Sequence, residues 1–177
     1  NWLSETDMSV LDVPFVESET GWNLDLTAIE DAYKAGVKIH ALCNPHNPLG
    51  RLFSKVELES IADLAAKYGV LVISDEIHAP LTYVKSDFIP FLAVSEKARE
   101  VGFVVTAASK SWNLAGLKCA TIITQNDKWW NVAKSMPAAV HYRASLFGAF
   151  AATLAYQSED WLDSCLATLD RNRTLVK

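Results

Sequence analysis

The sequence predicts an α/β fold: a mostly parallel sheet with one antiparallel strand and flanking helices, arranged in three layers. Two continuous apolar runs, 70–73 and 103–107, are typical of parallel strands that are covered on both faces. A capped helical pattern separates the first of these runs from an earlier strand at 38–43, which makes one βαβ unit. From residue 126 onward the chain is patterned mostly as helix.

Composition narrows the class of protein. The chain has 177 residues, enough for one domain with a proper core and too few for two ordinary ones. Its hydrophobic fraction of 50% and net charge of −5 are those of a soluble globular protein, and they favour neither nucleic acid nor an anionic membrane as a partner. Three cysteines without paired spacing argue against a disulfide framework or a zinc site and predict reduced thiols in a cytoplasmic protein.

The βαβ unit is predicted from local signals. Residues 38–43 are expected to form a short buried strand that leads into a proline-rich loop. Ser54 and Glu57 have the spacing of a capping box, and Gly69 supplies the stop of the helix that follows. Apolar residues recur at helical spacing within it: Leu58, Ile61, Ala62 and Ala65. Because parallel crossovers are right-handed, the ends of this strand and of strand 70–73 are expected at the same edge of the sheet.

The second half is less regular at first. A stretch with two prolines and a short helix near 95–99 leads to the buried strand 103–107. The next strand, 119–124, follows after a connection too short for a parallel crossover and is therefore predicted to be antiparallel. Further helices are expected near 127–135, near 144–156 and from 161 to the end of the chain.

Polar side chains follow three of the predicted strands. Asn47 lies in the loop 44–51, Asp75 ends the run 70–73, and Lys110 follows the run 103–107. Each has a common structural role when taken alone, as a turn residue, a helix cap or a solvated charge. In open sheets, however, ligands bind outside the carboxyl ends of the strands. An amine, a carboxylate and an amide at that edge indicate a carbonyl cofactor held as a Schiff base.

Two of these residues would carry the chemistry of such a cofactor. The ε-amine of Lys110 can condense with an aldehyde and later move a proton at the substrate Cα. A carboxylate such as Asp75, facing a pyridine nitrogen, keeps that nitrogen protonated and makes the ring an electron sink.

Four further side chains are suited to hold it. Asn47 and His78 can hydrogen-bond a ring phenolate oxygen, although a histidine such as His78, taken alone, is more often a hydrogen-bonded, half-buried residue than a ligand. Ser109 and Lys118 could bind a phosphate, one as a hydroxyl donor and the other as a point charge.

Three motifs carry a resemblance to a known family: Asn-Pro-His-Asn-Pro-Leu-Gly-Arg at 44–51, Ser-Asp-Glu-Ile-His-Ala-Pro at 74–80, and Ala-Ser-Lys-Ser-Trp-Asn-Leu-Ala-Gly-Leu-Lys at 108–118. With them the chain resembles fold-type I pyridoxal 5'-phosphate (PLP) enzymes of aminotransferase class I/II, from about residue 20 to its end. More narrowly, it resembles the cystathionine β-lyase (C–S lyase) branch. The resemblance implies a PLP-transferase large-domain fold.

The resemblance also implies roles for single residues. It makes Lys110 the Schiff-base lysine, Asp75 the partner of the pyridine nitrogen and Asn47 a ligand of the ring oxygen. His78 matches the lyase branch, where many aminotransferases of the class carry tyrosine. Lys118 stands where many relatives have a phosphate-binding arginine and so keeps the charge but not the bidentate fork. Ala107 cannot supply the hydroxyl that some relatives place there.

The function expected is a PLP-dependent C–S lyase. It would cleave a small amino-acid substrate, cystathionine or a cysteine S-conjugate, by β-elimination to a thiol, pyruvate and ammonia. Two alternatives remain open. An aminotransferase between an amino acid and a 2-oxo acid shares the steps up to loss of the Cα proton. A non-catalytic regulatory or binding module on the same fold is the other, against which the joint presence of Lys110, Asp75 and Asn47 argues.

The resemblance further predicts how the chain relates to a whole enzyme. Residues 1–160 are expected to be the central part of the PLP-binding large domain, and 161–177 the start of a helix leading toward a small domain that is absent. Both ends look cut, so an expression fragment with little or no activity is expected. Arg143 and Arg171 could bind a substrate carboxylate but are better interpreted as surface charges. Family members are homodimers, so the full-length parent is expected to be one.

Overall fold

The computed structural model describes residues 7–19, 21–83 and 86–176. Its centre is a four-stranded sheet made of β3 (Ile39–Cys43), β4 (Leu71–Asp75), β5 (Gly102–Thr106) and β6 (Thr121–Ile123), in that spatial order. Strands β3, β4 and β5 are parallel, and β6 runs antiparallel to β5. The predicted α/β class with one antiparallel strand and flanking helices is confirmed.

Helices supply the rest of the structure. They are α1 (Leu26–Lys34), α2 (Lys55–Tyr68), α3 (Glu96–Val101), α4 (Asp127–Lys134), α5 (Ala138–His141), α6 (Leu146–Tyr156) and α7 (Glu159–Leu175). Helix α2 packs against both α1 and α3. Within the described ranges, none of these helices combines the length and the apolar character needed to cross a membrane.

Helix α2 forms where the local signals predict it. The Ser54 hydroxyl accepts the Glu57 amide, and the Glu57 carboxylate accepts the Ser54 amide at 2.9 Å, which is a complete capping box. The four apolar positions Leu58, Ile61, Ala62 and Ala65 are fully buried. Gly69 ends the helix in the left-handed conformation, with φ 68°, which costs glycine little because it lacks a Cβ.

The segment before β3 holds structure that the sequence analysis missed. Strands β1 (Val16–Ser18) and β2 (Gly21–Asn23) form a short antiparallel hairpin. Helix α1 follows, capped by the Asp25 carboxylate, which accepts the Ala28 amide at 2.9 Å. Its buried residues Ile29, Ala32 and Tyr33 repeat at helical spacing. That spacing after an Asp cap was the available signal for α1.

Other boundaries differ from expectation by small amounts. The predicted strand 119–124 is only three residues long, and α5 was not predicted. Ser95 caps α3 through the Ala98 amide, which confirms the short helix near 95–99. Helix α7 begins at Glu159, so the expected division after residue 160 falls in its first turn. The division itself stays a prediction.

Candidate active site

Three connections leave the carboxyl edge of the sheet side by side. The register aligns Cys43 with Asp75, and Asp75 with Val105. Beyond the strands, the Asn44 amide donates to the Asp75 carbonyl at 3.0 Å, and the Glu76 amide donates to the Val105 carbonyl at 2.9 Å. The loop with Asn47, the segment with His78 and the turn with Lys110 therefore start next to one another, as the sequence analysis expected.

The loop that carries Asn47 is closed by its own backbone. The His46 amide donates to the Arg51 carbonyl, and the Gly50 amide donates to the His46 carbonyl, both at 2.8 Å. Gly50 has φ 62°, a left-handed value that favours glycine at this turn. The Asn47 amide lies 3.4 Å from the Cys43 sulfur, which it contacts as a donor. The amide side chain of Asn47 is thus carried on a folded turn.

Arg51 ties this loop to its surroundings. Its Nε donates to the Trp22 carbonyl at 2.7 Å, and its guanidinium pairs with Glu57, the capping residue of α2. The same guanidinium lies over the rings of Phe53 and Phe15, 4.7 Å and 5.6 Å from their centroids. A planar cation held between aromatic rings and a carboxylate is a specific arrangement, which lysine would not reproduce.

A pocket of about 260 Å³ lies between this loop and the segment after β4. Its lining consists of Pro45, His46, Asn47, Pro48, Gly50, Leu52, His78, Leu81, Thr82, Tyr83 and Ser86. Asn47 and His78 therefore share one cavity. Burial, together with the charge of Arg51, lowers the pKa of His46, so this imidazole is neutral near neutral pH. Among the residues that the structure describes, Asp75 and Lys110 lie outside the pocket lining.

Asp75 is exposed at the end of β4, whereas its neighbour Glu76 is buried. One carboxylate oxygen of Asp75 accepts the Ile77 amide at 3.1 Å. Adjacent strand residues point to opposite faces, so the two carboxylates meet different surroundings although they are neighbours in the chain. Sequence reasoning missed Glu76, and also the buried Asn44, because neither position stands out within its motif.

The turn that carries Lys110 is held from the C-terminal side of the chain. The Trp112 amide donates to the Ala108 carbonyl at 3.1 Å, and Ser111 is buried while Lys110 is exposed. The Trp161 indole nitrogen of α7 donates to the Ser111 carbonyl at 3.0 Å. This contact joins residues 50 positions apart and had no sequence signal.

Trp112 makes a second contact of this kind. Its ring meets that of Tyr156, the last residue of α6, edge to face with centroids 5.1 Å apart. Its indole nitrogen approaches the Ser158 carbonyl at 3.4 Å. Burial raises the pKa of the Tyr156 hydroxyl, which stays protonated at neutral pH. The residues around Lys110 are thus fixed against α6 and α7.

Ser109 and Lys118, the two residues predicted to bind a phosphate, differ in their surroundings. Ser109 is half-buried in the Lys110 turn, and its carbonyl accepts the Leu114 amide at 3.0 Å. Lys118 is exposed, has φ 49°, and its carbonyl accepts the Ser145 amide at 3.3 Å. In the ranges covered by the structure, no hydrogen bond or ion pair joins these two side chains.

The family model for class I and II aminotransferases matches residues 6–177. The chain belongs to that family. The predicted family resemblance is therefore confirmed, and all three motifs lie within the matched residues.

Individual relatives refine the assignment. The chain is 40% identical over 150 residues to a cystathionine β-lyase of Corynebacterium glutamicum, which covers 84% of this chain and 40% of the relative. It is 33% identical over 109 residues to human kynurenine–oxoglutarate transaminase 3, covering 62% of this chain and 24% of the relative. Among solved structures, cystalysin from Treponema denticola, whose crystal structure contains PLP, superposes with a TM-score of 0.84 at 27% identity over 98% of this chain and 45% of cystalysin. The chain spans about two fifths of the length of the curated lyases that it matches.

Proposed function

We propose that this chain supplies the PLP-binding part of a carbon–sulfur lyase. The observation that carries the proposal is the sheet edge, where the Asn47 loop, Asp75 and the Lys110 turn leave three adjacent parallel strands in register. Edges of this kind are where open α/β sheets bind ligands.

The donor set fits the cofactor. An exposed primary amine, Lys110, suits an aldehyde, and an exposed carboxylate, Asp75, suits a pyridine nitrogen. The amide of Asn47 and the imidazole of His78 line one cavity, as two ligands of a single phenolate oxygen would. Ser109 and Lys118 remain the candidates for the phosphate, on residue type alone.

Each candidate residue would have its own role in the reaction. PLP, when bound, supplies an electron sink for the electrons left at the substrate Cα. Lys110 would hold the cofactor through its ε-amine and would take the substrate Cα proton. Asp75 keeps a proton at the pyridine nitrogen. Asn47 and His78 would orient the ring through its phenolate oxygen.

The lyase assignment rests on the relatives and on His78. The overall reaction takes a cysteine S-conjugate and water to a thiol, pyruvate and ammonia. An aminotransferase is the second candidate, since the family includes transaminases such as the human relative. Both reactions need the same proton at Cα, so the four side chains at the edge serve either.

Reductive trapping tests the site. The chain is incubated with PLP, reduced with borohydride and mapped by mass spectrometry, with Lys110→Ala beside it. We expect a pyridoxyl adduct on Lys110 in the unchanged chain and none at that peptide in the variant. Lys97→Ala, a surface lysine paired with Asp63, is the matched control and should label normally. An adduct that forms mainly elsewhere contradicts the assignment of Lys110.

Product analysis tests the reaction. The complete gene product, loaded with PLP, is given cystathionine with and without a 2-oxo acid. Pyruvate formed without any 2-oxo acid supports the lyase, whereas amino-group transfer that needs the 2-oxo acid supports the aminotransferase. We expect the 177-residue chain alone to show little or no turnover, and clear turnover by it would refute that expectation.

Assembly and location are also proposals. A homodimer is supported by the apolar side chains that α6 exposes, among them Phe147, Phe150 and Leu154. A cytoplasmic location is supported by the three cysteines, which are all unpaired thiols. An amino acid is the substrate class proposed for the site.

A further inference from the structure

The connection from β4 to β5 forms one wall of the candidate site, and its described residues before α3 have little regular structure. Before α3 it contains two 3-10 turns, Ala79–Leu81 and Phe91–Ala93. His78 and Tyr83 from its first part line the pocket. A segment outside any helix or strand ladder keeps its place only through other hydrogen bonds and packing.

The Glu76 side chain forms a hydrogen bond to the far end of this connection. Its carboxylate oxygen Oε1 accepts the Phe91 amide at 2.8 Å and the Ser74 hydroxyl at 3.0 Å. Its own amide continues the ladder by donating to the Val105 carbonyl at 2.9 Å. The side chain therefore joins the end of β4 to a point 15 residues later, where Phe91 is fully buried in the core.

Asn44 makes a second tie beside the first. It is 1% exposed, and its Nδ2 donates to the Ile89 carbonyl at 3.2 Å, two residues before Phe91. Asn44 opens the loop that carries Asn47. Ile89 and Phe91, where the β4–β5 connection returns to the sheet, are thus bound both to the end of β4, which precedes His78, and to the loop that carries Asn47.

The burial of Glu76 is costly. It is 5% exposed, and burial raises the pKa of its carboxyl group, with the neighbouring Asp75 acting in the same direction. The hydrogen bonds from Phe91 and Ser74 oppose that rise. A carboxyl group kept inside a core at this cost, with one oxygen bound by a backbone amide and a hydroxyl, is well suited to set geometry.

We propose that Glu76 is a positioning residue of the cofactor site: by holding the Phe91 amide it sets where the connection returns to the sheet, and so keeps His78 opposite Asn47. The inference rests on the proposed function, in which Asn47 and His78 are ligands of the PLP ring oxygen. Glu76 itself touches neither the pocket nor the reacting atoms.

Amide hydrogen exchange tests the contact without any cofactor. In Glu76→Ala the Phe91 amide should exchange about tenfold faster or more, as expected for loss of a buried charge-assisted hydrogen bond. The Val72 amide in β4 reports on the fold and should stay protected. Glu76→Gln, which retains an acceptor oxygen, should keep most of the protection. If Val72 also loses protection, Glu76→Asp replaces the alanine variant, since it keeps the charge and shortens the reach. Unchanged exchange at Phe91 refutes the contact.

A double-mutant cycle on PLP affinity tests the positioning. We expect Glu76→Ala to weaken PLP binding about tenfold in the unchanged background and less than about threefold in His78→Ala, because Glu76 acts through His78. Glu76→Gln should restore the affinity, and Glu59→Ala, a partly exposed glutamate on α2 that pairs with Lys55, is the control that should change nothing. Additive effects of the two substitutions, or a glutamine variant as weak as the alanine one, overturn the proposal. Failure of the unchanged chain to bind PLP counts against the proposed function, and the exchange result then still decides whether Glu76 holds the Phe91 amide.

Discussion

Neighbouring residues at the sheet edge face opposite environments. Asp75 is exposed where a ligand can reach it, while Glu76 is buried and satisfied by a hydroxyl and a backbone amide. The alternation of side chains along a strand produces this difference from two similar carboxylates. One is available for chemistry and the other for holding the backbone.

The role of Asp75 can be tested by removing its charge. Asp75→Asn keeps the size of the side chain but cannot stabilise a protonated pyridine nitrogen. We expect PLP affinity, measured by absorbance titration, to fall about tenfold, the equivalent of about 1.4 kcal/mol for one charge-assisted bond. Asp63→Asn on the surface of α2 is the control. A PLP affinity equal to that of the unchanged chain would show that Asp75 is not a PLP ligand.

We expect the burial of His40 to make the folded protein less stable in acid. Burial lowers the pKa of His40 to about 4, and its Nδ1 lies 2.6 Å from the Tyr33 hydroxyl. The unfolded chain therefore binds a proton that the folded chain resists, so stability present above about pH 6.5 is lost as the pH falls toward 4. For a ring that keeps some exposure we expect roughly 2 kcal/mol between pH 7 and pH 4.5.

Urea unfolding at the two pH values measures this loss. His40→Gln, which cannot titrate in this range, should show a smaller loss than the unchanged chain. His141→Gln changes an exposed histidine and should behave as the unchanged chain does. Equal losses in all three proteins would mean that other groups cause the acid sensitivity.

At the scale of elements, α7 connects two parts of the site. Near its start, Trp161 donates to the Ser111 carbonyl in the Lys110 turn. Near its end, the Arg173 guanidinium lies over the Tyr83 ring, 4.3 Å from its centroid, at the rim of the pocket. Twelve helical residues separate these contacts by about 18 Å, so one rigid helix spans the distance.

Helix α2 offers a prediction about stability. Gly69 ends it with φ 68°, where a Cβ is strained even though nothing lies within 4 Å of it. Gly69→Ala should lower the free energy of unfolding by about 1 kcal/mol. Gly116→Ala is the matched control: its surroundings are equally open and its φ is not left-handed, so its stability should stay within about 0.5 kcal/mol. Equal effects at both positions would argue against backbone strain at Gly69.

At the scale of the whole molecule, α6 exposes an apolar face. The helix has no charged residue, and Phe147, Phe150 and Leu154 are 77%, 64% and 67% exposed. These positions share one face of the helix. A contiguous apolar face of this kind favours association.

Sedimentation tests this. We expect the chain to associate with itself in a concentration-dependent way and Phe150→Glu to shift it toward the monomer, because a buried unpaired charge is costly. Val56→Glu changes an apolar residue that is 70% exposed on α2 and should leave the association unchanged. A monomer at all concentrations would contradict the proposed self-association.

The strands of the sheet and helix α2 follow largely from local pattern. Apolar runs, the Ser54 capping box and the Gly69 stop are properties of short windows, and the structure reproduces each. The missed hairpin β1–β2 has two strands of three residues, all exposed, too short to show a period. Helix α5 was not predicted for the same reason, because it is only four residues long.

By itself, the sequence determined the α/β class, the family motifs and the residue types at the edge of the sheet. Residue types and short spacings are local, and the chemistry of an amine or a carboxylate does not depend on the fold. The tertiary structure decided which side chains meet: Asn47 with His78 in one pocket, Glu76 with Phe91, and Ser111 with Trp161. These contacts depend on strand register and on where each connection returns, which are set by packing of the whole chain.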